Sequence, residues 1–320
     1  MPKICLVTPA LAGANNGNWQ TARRWSQMLS RDYRVDLTGA WNGEPADLLI
    51  ALHARRSAAS IARFARECPA RPIAVVLTGT DLYRDIHTDA AAQASLACAD
   101  RLVVLHERAV QDVPSPLQHK AVVCFQSTTR RAPVRKPSSF LRALMVGHLR
   151  SEKEPHTYWQ AAALLKSRAD IRLEHIGAAL ESAWGEEATR VSQELPRFRW
   201  LGALPHAVTR RHVQYAHVLV HPSHMEGGAH VIMEAVRSGT AVLASRISGN
   251  VGMLGGDYAG YFEPGDAQGL AGLLQQCRDD PAILAHLNGQ CALRAPLFAP
   301  ERERATLLRI VHDLIERPHP

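Results

Sequence analysis

Two glutamates, Glu226 and Glu234, have the types and spacing that suit them for chemistry. Seven residues separate them in His221-Pro-Ser-His-Met-Glu-Gly-Gly-Ala-His-Val-Ile-Met-Glu-Ala-Val-Arg-Ser-Gly239. An apolar strand-like run ends at Pro222, a loop carries Glu226, and two glycines open a helix that ends near Gly239. The amides of Gly227, Gly228 and Ala229 are therefore expected at a helix N-terminus, where free N–H groups and the helix dipole favour an anion. Glycine lets a diphosphate approach the backbone closely. Glu234 lies about five residues into that helix, a rise of roughly 7.5 Å. That is the reach from a phosphate to a ribose diol, which a carboxylate grips with two hydrogen bonds. Glu226 precedes the helix and faces the sugar side. Such an arrangement would suit a phosphate-bearing ligand with neighbouring hydroxyls.

A second cluster supplies cations. Met145-Val-Gly-His-Leu-Arg-Ser-Glu-Lys-Glu154 reads as a strand followed by a turn, and carries His148, Arg150 and Lys153. Positive groups there would attract an anion. A third turn, Arg199-Trp-Leu-Gly-Ala-Leu-Pro205, carries Gly202 and Leu204.

The first half of the chain holds two further candidates. The loop Thr8–Asn18 is rich in Gly and Asn and runs into a helix, so Asn15, Gly17, Asn18 and Arg23 could hold a small anion. The same residues also suit a plain N-capped helix. In Leu77–Asp85, Thr78, Asp81 and Arg84 follow a buried strand, and ligands of open α/β sheets gather at strand C-terminal ends. Asp81 could equally cap the next helix.

Metal chemistry has little support. His221, His224 and His230 fit no zinc spacing, and the six cysteines form no Cys-x-x-Cys pair, so reduced thiols are expected. No Asp-x-Asp pattern occurs, and no metal or cofactor is expected beyond the substrates.

These loops need rigid elements to position them. Apolar runs at Ile4–Val7, Leu48–Leu52, Ile73–Leu77, Leu102–Leu105 and Ala121–Phe125 read as buried parallel strands. Helical patterns at about 18–30, 56–67 and 88–98 alternate with them. Ser127–Ser139, with Pro133, Pro137 and four basic residues, reads as a linker. The series then restarts with strands at Leu141–Val146, Arg172–Ile176, Arg199–Leu201, Val218–His221, Ala241–Ala244 and Gly260–Phe262. Glu301–Arg317 is an amphipathic helix. The fold class is α/β, with two Rossmann-like doubly wound parallel sheets. The domains are 1–130, 138–300 and a C-terminal helix 301–318.

Composition agrees. Of 320 residues, 46% are apolar and 21% charged, as in a folded globular protein. A net charge of +7 favours anionic partners, but no nucleic-acid-binding signature is present. No apolar run is long enough to span a membrane, and the first run reads as a strand rather than a signal peptide, so a cytoplasmic location is expected.

The Glu226–Glu234 segment resembles the Glu-x7-Glu motif of retaining GT-B glycosyltransferases of family 4. Gly147-His-Leu-Arg-Ser-Glu-Lys153 resembles their Gly-Arg-Leu-x-x-x-Lys signature, with Lys153 at the lysine and His148 in place of the arginine. Arg150, two residues on, is the other source for the missing charge. The Leu201-Gly202 turn resembles the one whose backbone reads the base. The resemblance implies two domains facing a cleft, an N-terminal acceptor domain, a C-terminal nucleotide-sugar domain and a last helix that returns to the first domain.

Across essentially the whole chain, Asn15-Asn-Gly-Asn-Trp-Gln-Thr-Ala-Arg-Arg-Trp25, Leu77–Asp85 and His221–His230 resemble the selenosugar synthases of selenoneine biosynthesis. That branch implies attack of selenophosphate on UDP-N-acetylglucosamine or UDP-glucose. A selenosugar, UDP and phosphate result after loss of the phosphoryl group. No amphipathic helix for lipid acceptors is evident in the first domain, and no stable membrane association is expected. Two alternatives remain open: a retaining glycosyltransferase acting on a saccharide or lipid hydroxyl, and a non-catalytic nucleotide-sugar binding protein.

Overall fold

Runs of Leu, Ile, Val and Ala build two six-stranded sheets, and every strand pairing in both is parallel. The computed structural model describes residues 1–10 and 17–316. The chain divides into two units, Met1–Ser127 with the segment from Pro300 onward, and Thr128–Ala299.

In the first unit the order is β1 (Lys3–Val7), α1 (Gly17–Leu29), β2 (Arg34–Thr38), β3 (Leu48–Leu52), α2 (Ala58–Glu67) and β4 (Ile73–Val76). A π-helical turn at Asp81–Asp85 leads into α3 (Ile86–Thr88) and α4 (Ala90–Cys98), followed by β5 (Arg101–Val104), α5 (Ala109–Asp112) and β6 (Ala121–Val123). The sheet order is β2-β1-β3-β4-β5-β6, so strand succession reverses between β1 and β3. All five residues of β3 are buried, which is why its sequence is apolar without alternation. The edge strand β2 lies outside the apolar runs. Arg-Val-Asp-Leu-Thr alternates polar and apolar because it pairs with β1 on one side only, from Lys3–Arg34 to Val7–Thr38.

The second unit contains β7 (Leu141–Val146), α6 (Pro155–Leu164), β8 (Ile171–Ile176), α7 (Ser182–Glu194), β9 (Phe198–Trp200), α8 (His206–Tyr215) and β10 (Val218–His221). It continues through α9 (His230–Val236), β11 (Ala241–Ser245), α10 (Ser248–Leu254), β12 (Tyr261–Phe262), α11 (Ala267–Asp279) and α12 (Pro281–Arg294). The order β12-β11-β10-β7-β8-β9 reverses between β7 and β10. That reversal is the crevice-forming switch point of a doubly wound sheet.

The proline-rich stretch after Ser127 lies in this second unit and follows α9. Arg131 N–H donates to the Arg237 carbonyl at 3.0 Å, and Lys136 Nζ donates to the Gly239 carbonyl at 3.1 Å. Gly239 has φ +69°, and a methyl there would lie 2.9 Å from the Pro133 ring, so both conformation and space require glycine.

The last helix, α13 (Pro300–Ile315), belongs to the first unit. Its Leu307, Ile310, Val311 and Leu314 share a core with Ile4, Leu6, Trp25, Leu29, Leu48 and Ile50. A polar knot fixes its register. The buried Glu303 carboxylate accepts from Trp25 Nε1 at 2.7 Å, from Arg24 Nε at 2.8 Å and Nη2 at 2.9 Å, and from Ser127 Oγ.

Candidate functional site

The two signature loops leave neighbouring strands. Ala143 to Met145 of β7 pair with Val218 to Val220 of β10, so the turn after β7 and the loop after β10 emerge side by side at the switch point. There Lys153 Nζ donates to Glu226 Oε1, and both side chains are largely buried. His221 Nε2 lies 3.3 Å from the same oxygen and 3.3 Å from Ser223 Oγ. Burial pushes the Glu226 carboxyl up, but Lys153 and His221 outweigh it and hold the group well below the usual carboxylate range. Glu226 is therefore ionised with one oxygen engaged by two cation-forming groups.

Further contacts lock the loops together. His224 N–H donates to the Glu152 carbonyl at 3.0 Å, and His224 Nε2 lies 2.6 Å from Glu154 Oε2. Glu154 itself takes the left-handed region, φ +49°, as the chain turns into α6. On the far side of Glu226, a methyl on Gly249 would stand 2.0 Å from the Glu226 carbonyl oxygen, so only glycine lets α10 approach.

His148 lies in the turn that follows β7. Its Nδ1 accepts the Ala178 N–H at 3.1 Å. Desolvation, then Arg150 and Lys153, push its pKa below the ordinary imidazole value. His148 is thus neutral near pH 7 and offers a hydrogen bond rather than a charge. Arg150 is half-exposed and faces Glu152 at 3.9 Å. The turn beneath them is fixed from below. Buried His175 Nε2 lies 3.0 Å from the Gly147 carbonyl, Trp200 Nε1 donates to the Gly177 carbonyl at 2.9 Å, and Gly177 N–H donates to the Gly202 carbonyl at 2.8 Å. Gly202 has φ +67°, and the Leu204 carbonyl accepts from Thr209 Oγ1 at 3.4 Å.

The helix of the Glu-x7-Glu segment starts later than the sequence suggests. It begins at His230, with Gly227 and Gly228 in the preceding loop and Ala229 extended at the N-cap (φ −78°, ψ 102°). The Ala229 amide points at Met253 Sδ, 3.2 Å away. Glu234 is buried on α9, and among the described residues it shares no partner with Glu226. His206 Nε2 lies 2.6 Å from its Oε1, and Arg210 Nε lies 3.8 Å away. Arg210 is anchored by Nη1 to Thr129 Oγ1 at 3.0 Å and Nη2 to the Thr129 carbonyl at 2.8 Å.

In the first unit, Asn15 falls outside the described residues. Gly17 and Asn18 form the first turn of α1, with the Gly17 carbonyl accepting from Thr21 Oγ1 at 2.8 Å, and Arg23 is exposed. Asp81 is fully buried. Its Oδ1 accepts the N–H groups of Thr78 and Gly79, each at 2.9 Å, and its Oδ2 accepts Ala54 N–H at 3.0 Å. These bonds tie the loops after β3 and β4 together. Arg84 Nε donates to Asp85 Oδ1 at 3.1 Å and is half-exposed. Two buried histidines complete this strand-end cluster. His53, at φ +70°, has Nε2 3.2 Å from Thr80 Oγ1, and His106 Nε2 meets Tyr83 OH at 2.8 Å.

Among the described residues no three His, Cys, Asp or Glu side chains gather as a metal site, and no helix is long and apolar enough to cross a membrane. His221 and His224 face Glu226 and Glu154 instead.

Two parallel Rossmann-like units, with a basic turn and a glutamate loop at the switch point of the second, define a glycosyltransferase fold of the GT-B type. Residues 99–290 match the family of glycosyl transferases group 1, and the chain belongs to that family. Sucrose-phosphate synthase of Thermosynechococcus elongatus is similar at TM-score 0.80 and 17% identity, covering 98% of this chain and 99% of that one. HepE of Anabaena, solved in complex with UDP and glucose, is similar at TM-score 0.74 and 15% identity, covering 98% and 100%. A glycosyltransferase from Rickettsia africae is similar at TM-score 0.74 and 14% identity, covering 99% of each chain. At these identities the likeness is one of fold. Among curated proteins, none matches the chain.

Sequence reading did not reach His206, Arg210, Gly249, His175, His53 or His106. None sits in a recognisable motif. The available signals were faint: the i, i+4 pair His206 and Arg210 on one helix face, and histidines placed just after buried strands.

Proposed function

We propose that the protein transfers a hexosyl group from UDP-N-acetylglucosamine or UDP-glucose to the selenium of selenophosphate. The observation that carries the donor half is the Lys153–Glu226 pair at the β7–β10 switch point. It joins the two motif loops that a nucleotide-sugar site needs. HepE, solved with UDP and with UDP-glucose, lends support for the donor through its fold.

In this reading the second unit binds the donor. The diphosphate sits against the amides of Gly227 and Gly228, since that of Ala229 is taken by Met253 Sδ, with Lys153 neutralising the charge that develops as UDP departs. His148 adds a neutral hydrogen bond, and Arg150 adds longer-range positive charge. Glu226 accepts from hexose hydroxyls, Glu234 from the ribose, and the backbone at Gly202 and Leu204 contacts the base. The first unit binds the acceptor through Asn15, Gly17, Asn18 and Arg23, with Thr78 and Arg84 on the turn that Asp81 holds. Selenium is already a strong nucleophile, so the step needs no general base. The selenium–anomeric carbon bond forms as the anomeric carbon–oxygen bond to UDP breaks, and UDP takes the electron pair. Water then cleaves the phosphorus–selenium bond, leaving the selenosugar and inorganic phosphate. The resemblance of three segments to selenosugar synthases supports this acceptor.

The test is UDP release from each donor with and without selenophosphate, with mass spectrometry of the products. Selenophosphate-dependent release and a selenium-bearing hexose are expected. Lys153→Ala should lower the rate by about 100- to 1,000-fold. Release that depends instead on a hydroxyl acceptor, with no selenium in the product, overturns the acceptor assignment. Full turnover by Lys153→Ala overturns the leaving-group role.

A further inference from the structure

We infer that His221 is a positioning residue of the donor site, which keeps hold of Glu226 when the ammonium of Lys153 turns to the donor's diphosphate. The inference rests on the donor reading above and deepens it.

Two groups share one oxygen. Lys153 Nζ donates to Glu226 Oε1, and His221 Nε2 lies 3.3 Å from that same atom. The two are held very differently. Lys153 ends a short 3-10 turn, Ser151–Lys153, and a methyl on Gly147 would meet its Cδ at 3.4 Å, so its flexible stem runs along bare main chain. His221 closes β10, and its side chain is only 2% exposed. An ammonium on a four-carbon stem can follow an arriving ligand, whereas an imidazole packed at the end of a buried strand stays where it is. The ring also stands on a fixed polar base. Ser223 Oγ lies 3.3 Å from His221 Nε2, the Ser223 carbonyl accepts from Ser245 Oγ at 2.5 Å, and Asn250 Nδ2 donates to the Ser245 carbonyl at 2.9 Å. Ser223, Ser245 and Asn250 are all fully buried.

The tautomer of His221 follows from its neighbour. Two lone pairs facing each other at 3.3 Å would repel, so beside an ionised carboxylate Nε2 carries the N–H. Burial outweighs the pull of Glu226 and pushes the imidazole pKa down, so the ring is neutral near pH 7. His221 therefore holds the carboxylate by a hydrogen bond, while Lys153 holds it by charge. A diphosphate carries more negative charge than a carboxylate and draws the ammonium toward itself. Taking one partner from a buried ion pair leaves a costly uncompensated charge unless another donor stays on it. His221 is that donor. Glu226 keeps its place and its ionised state while the lysine works on the leaving group.

The experiment is a double-mutant cycle read by UDP binding, with calorimetry on the full-length protein, His221→Phe, Glu226→Gln and the double variant. His221→Phe should bind UDP about 10- to 100-fold more weakly, because Lys153 then leaves an unpaired charge behind. Glu226→Gln has no charge to strand and should bind UDP at least as tightly as the unmodified protein. The double variant should match Glu226→Gln to within about threefold. A His221 that only packs the strand end would weaken UDP binding by the same factor with or without the Glu226→Gln change, and that result overturns the inference. Full UDP affinity in His221→Phe overturns it too. Should His221→Phe fail to fold, the Glu226→Gln arm decides, and weaker UDP binding there overturns the inference. Failure of the unmodified protein to bind UDP at all overturns the donor reading itself, and this inference with it.

Discussion

Gly249 at the start of α10 lies so close to Glu226 that a methyl on its Cα would stand 2.0 Å from the Glu226 carbonyl oxygen and 3.1 Å from its Cβ. The loop that carries the glutamate is therefore backed by bare main chain. Main chain thus packs against the Glu226 backbone while Lys153 and His221 hold its carboxylate.

Gly249→Ala should consequently displace Glu226 without touching any ionisable group. Misplacement of a positioning group by about 1 Å can cost roughly 100-fold in rate, and a loss of about 10- to 100-fold is expected in donor turnover. Gly256→Ala, where a methyl meets nothing within 4 Å, serves as the neutral control. The rates should be read well below both melting temperatures. Equal turnover by the two variants would show that the close approach has no bearing on the site.

Acid should destabilise both units through buried histidines. Burial pushes His175 of the second unit from 6.5 down to about 4, and burial with Arg108 pushes His106 of the first unit down to about 4. Each folded imidazole resists protonation, whereas the unfolded one accepts a proton below about 6.5. Their contribution is therefore complete above pH 6.5 and is lost as pH falls from there toward 4, at roughly 3 kcal/mol each. The melting temperature should fall through that window. His175→Phe and His106→Phe should each flatten the fall, and an unchanged slope in both would count against this origin.

Glu303 should be worth far more than its position near the end of the chain suggests. Its carboxylate joins α13 to Trp25, Arg24 and Ser127 inside the first unit. Glu303→Ala leaves those donors buried without their acceptor, and a cost of about 3–5 kcal/mol is expected. Denaturant unfolding followed by tryptophan fluorescence measures it. Glu303→Gln keeps an acceptor for Trp25 and should lose less. A loss under about 1 kcal/mol for Glu303→Ala would mean that apolar packing of Leu307, Ile310, Val311 and Leu314 alone holds the helix.

The sequence by itself determined the sheets and the motif loops. Strands such as Leu48–Leu52 and Val218–His221 are buried on both faces, so unbroken apolar runs announce them wherever they lie in the chain. Glycines and a glutamate just beyond a strand end likewise mark a loop by local chemistry alone. The edge strand Arg34–Thr38 escaped because one-sided pairing requires no such run. The protonation state of His148, the sharing of Glu226 by Lys153 and His221, and the pairing of Glu234 with His206 and Arg210 were decided only by the tertiary structure. The Lys153–Glu226 and His206–Glu234 contacts join residues distant in sequence that become neighbours through the fold, while His148 owes its lowered pKa first to burial. Burial then fixes their charges, because desolvation and Coulomb interactions act through space rather than along the chain.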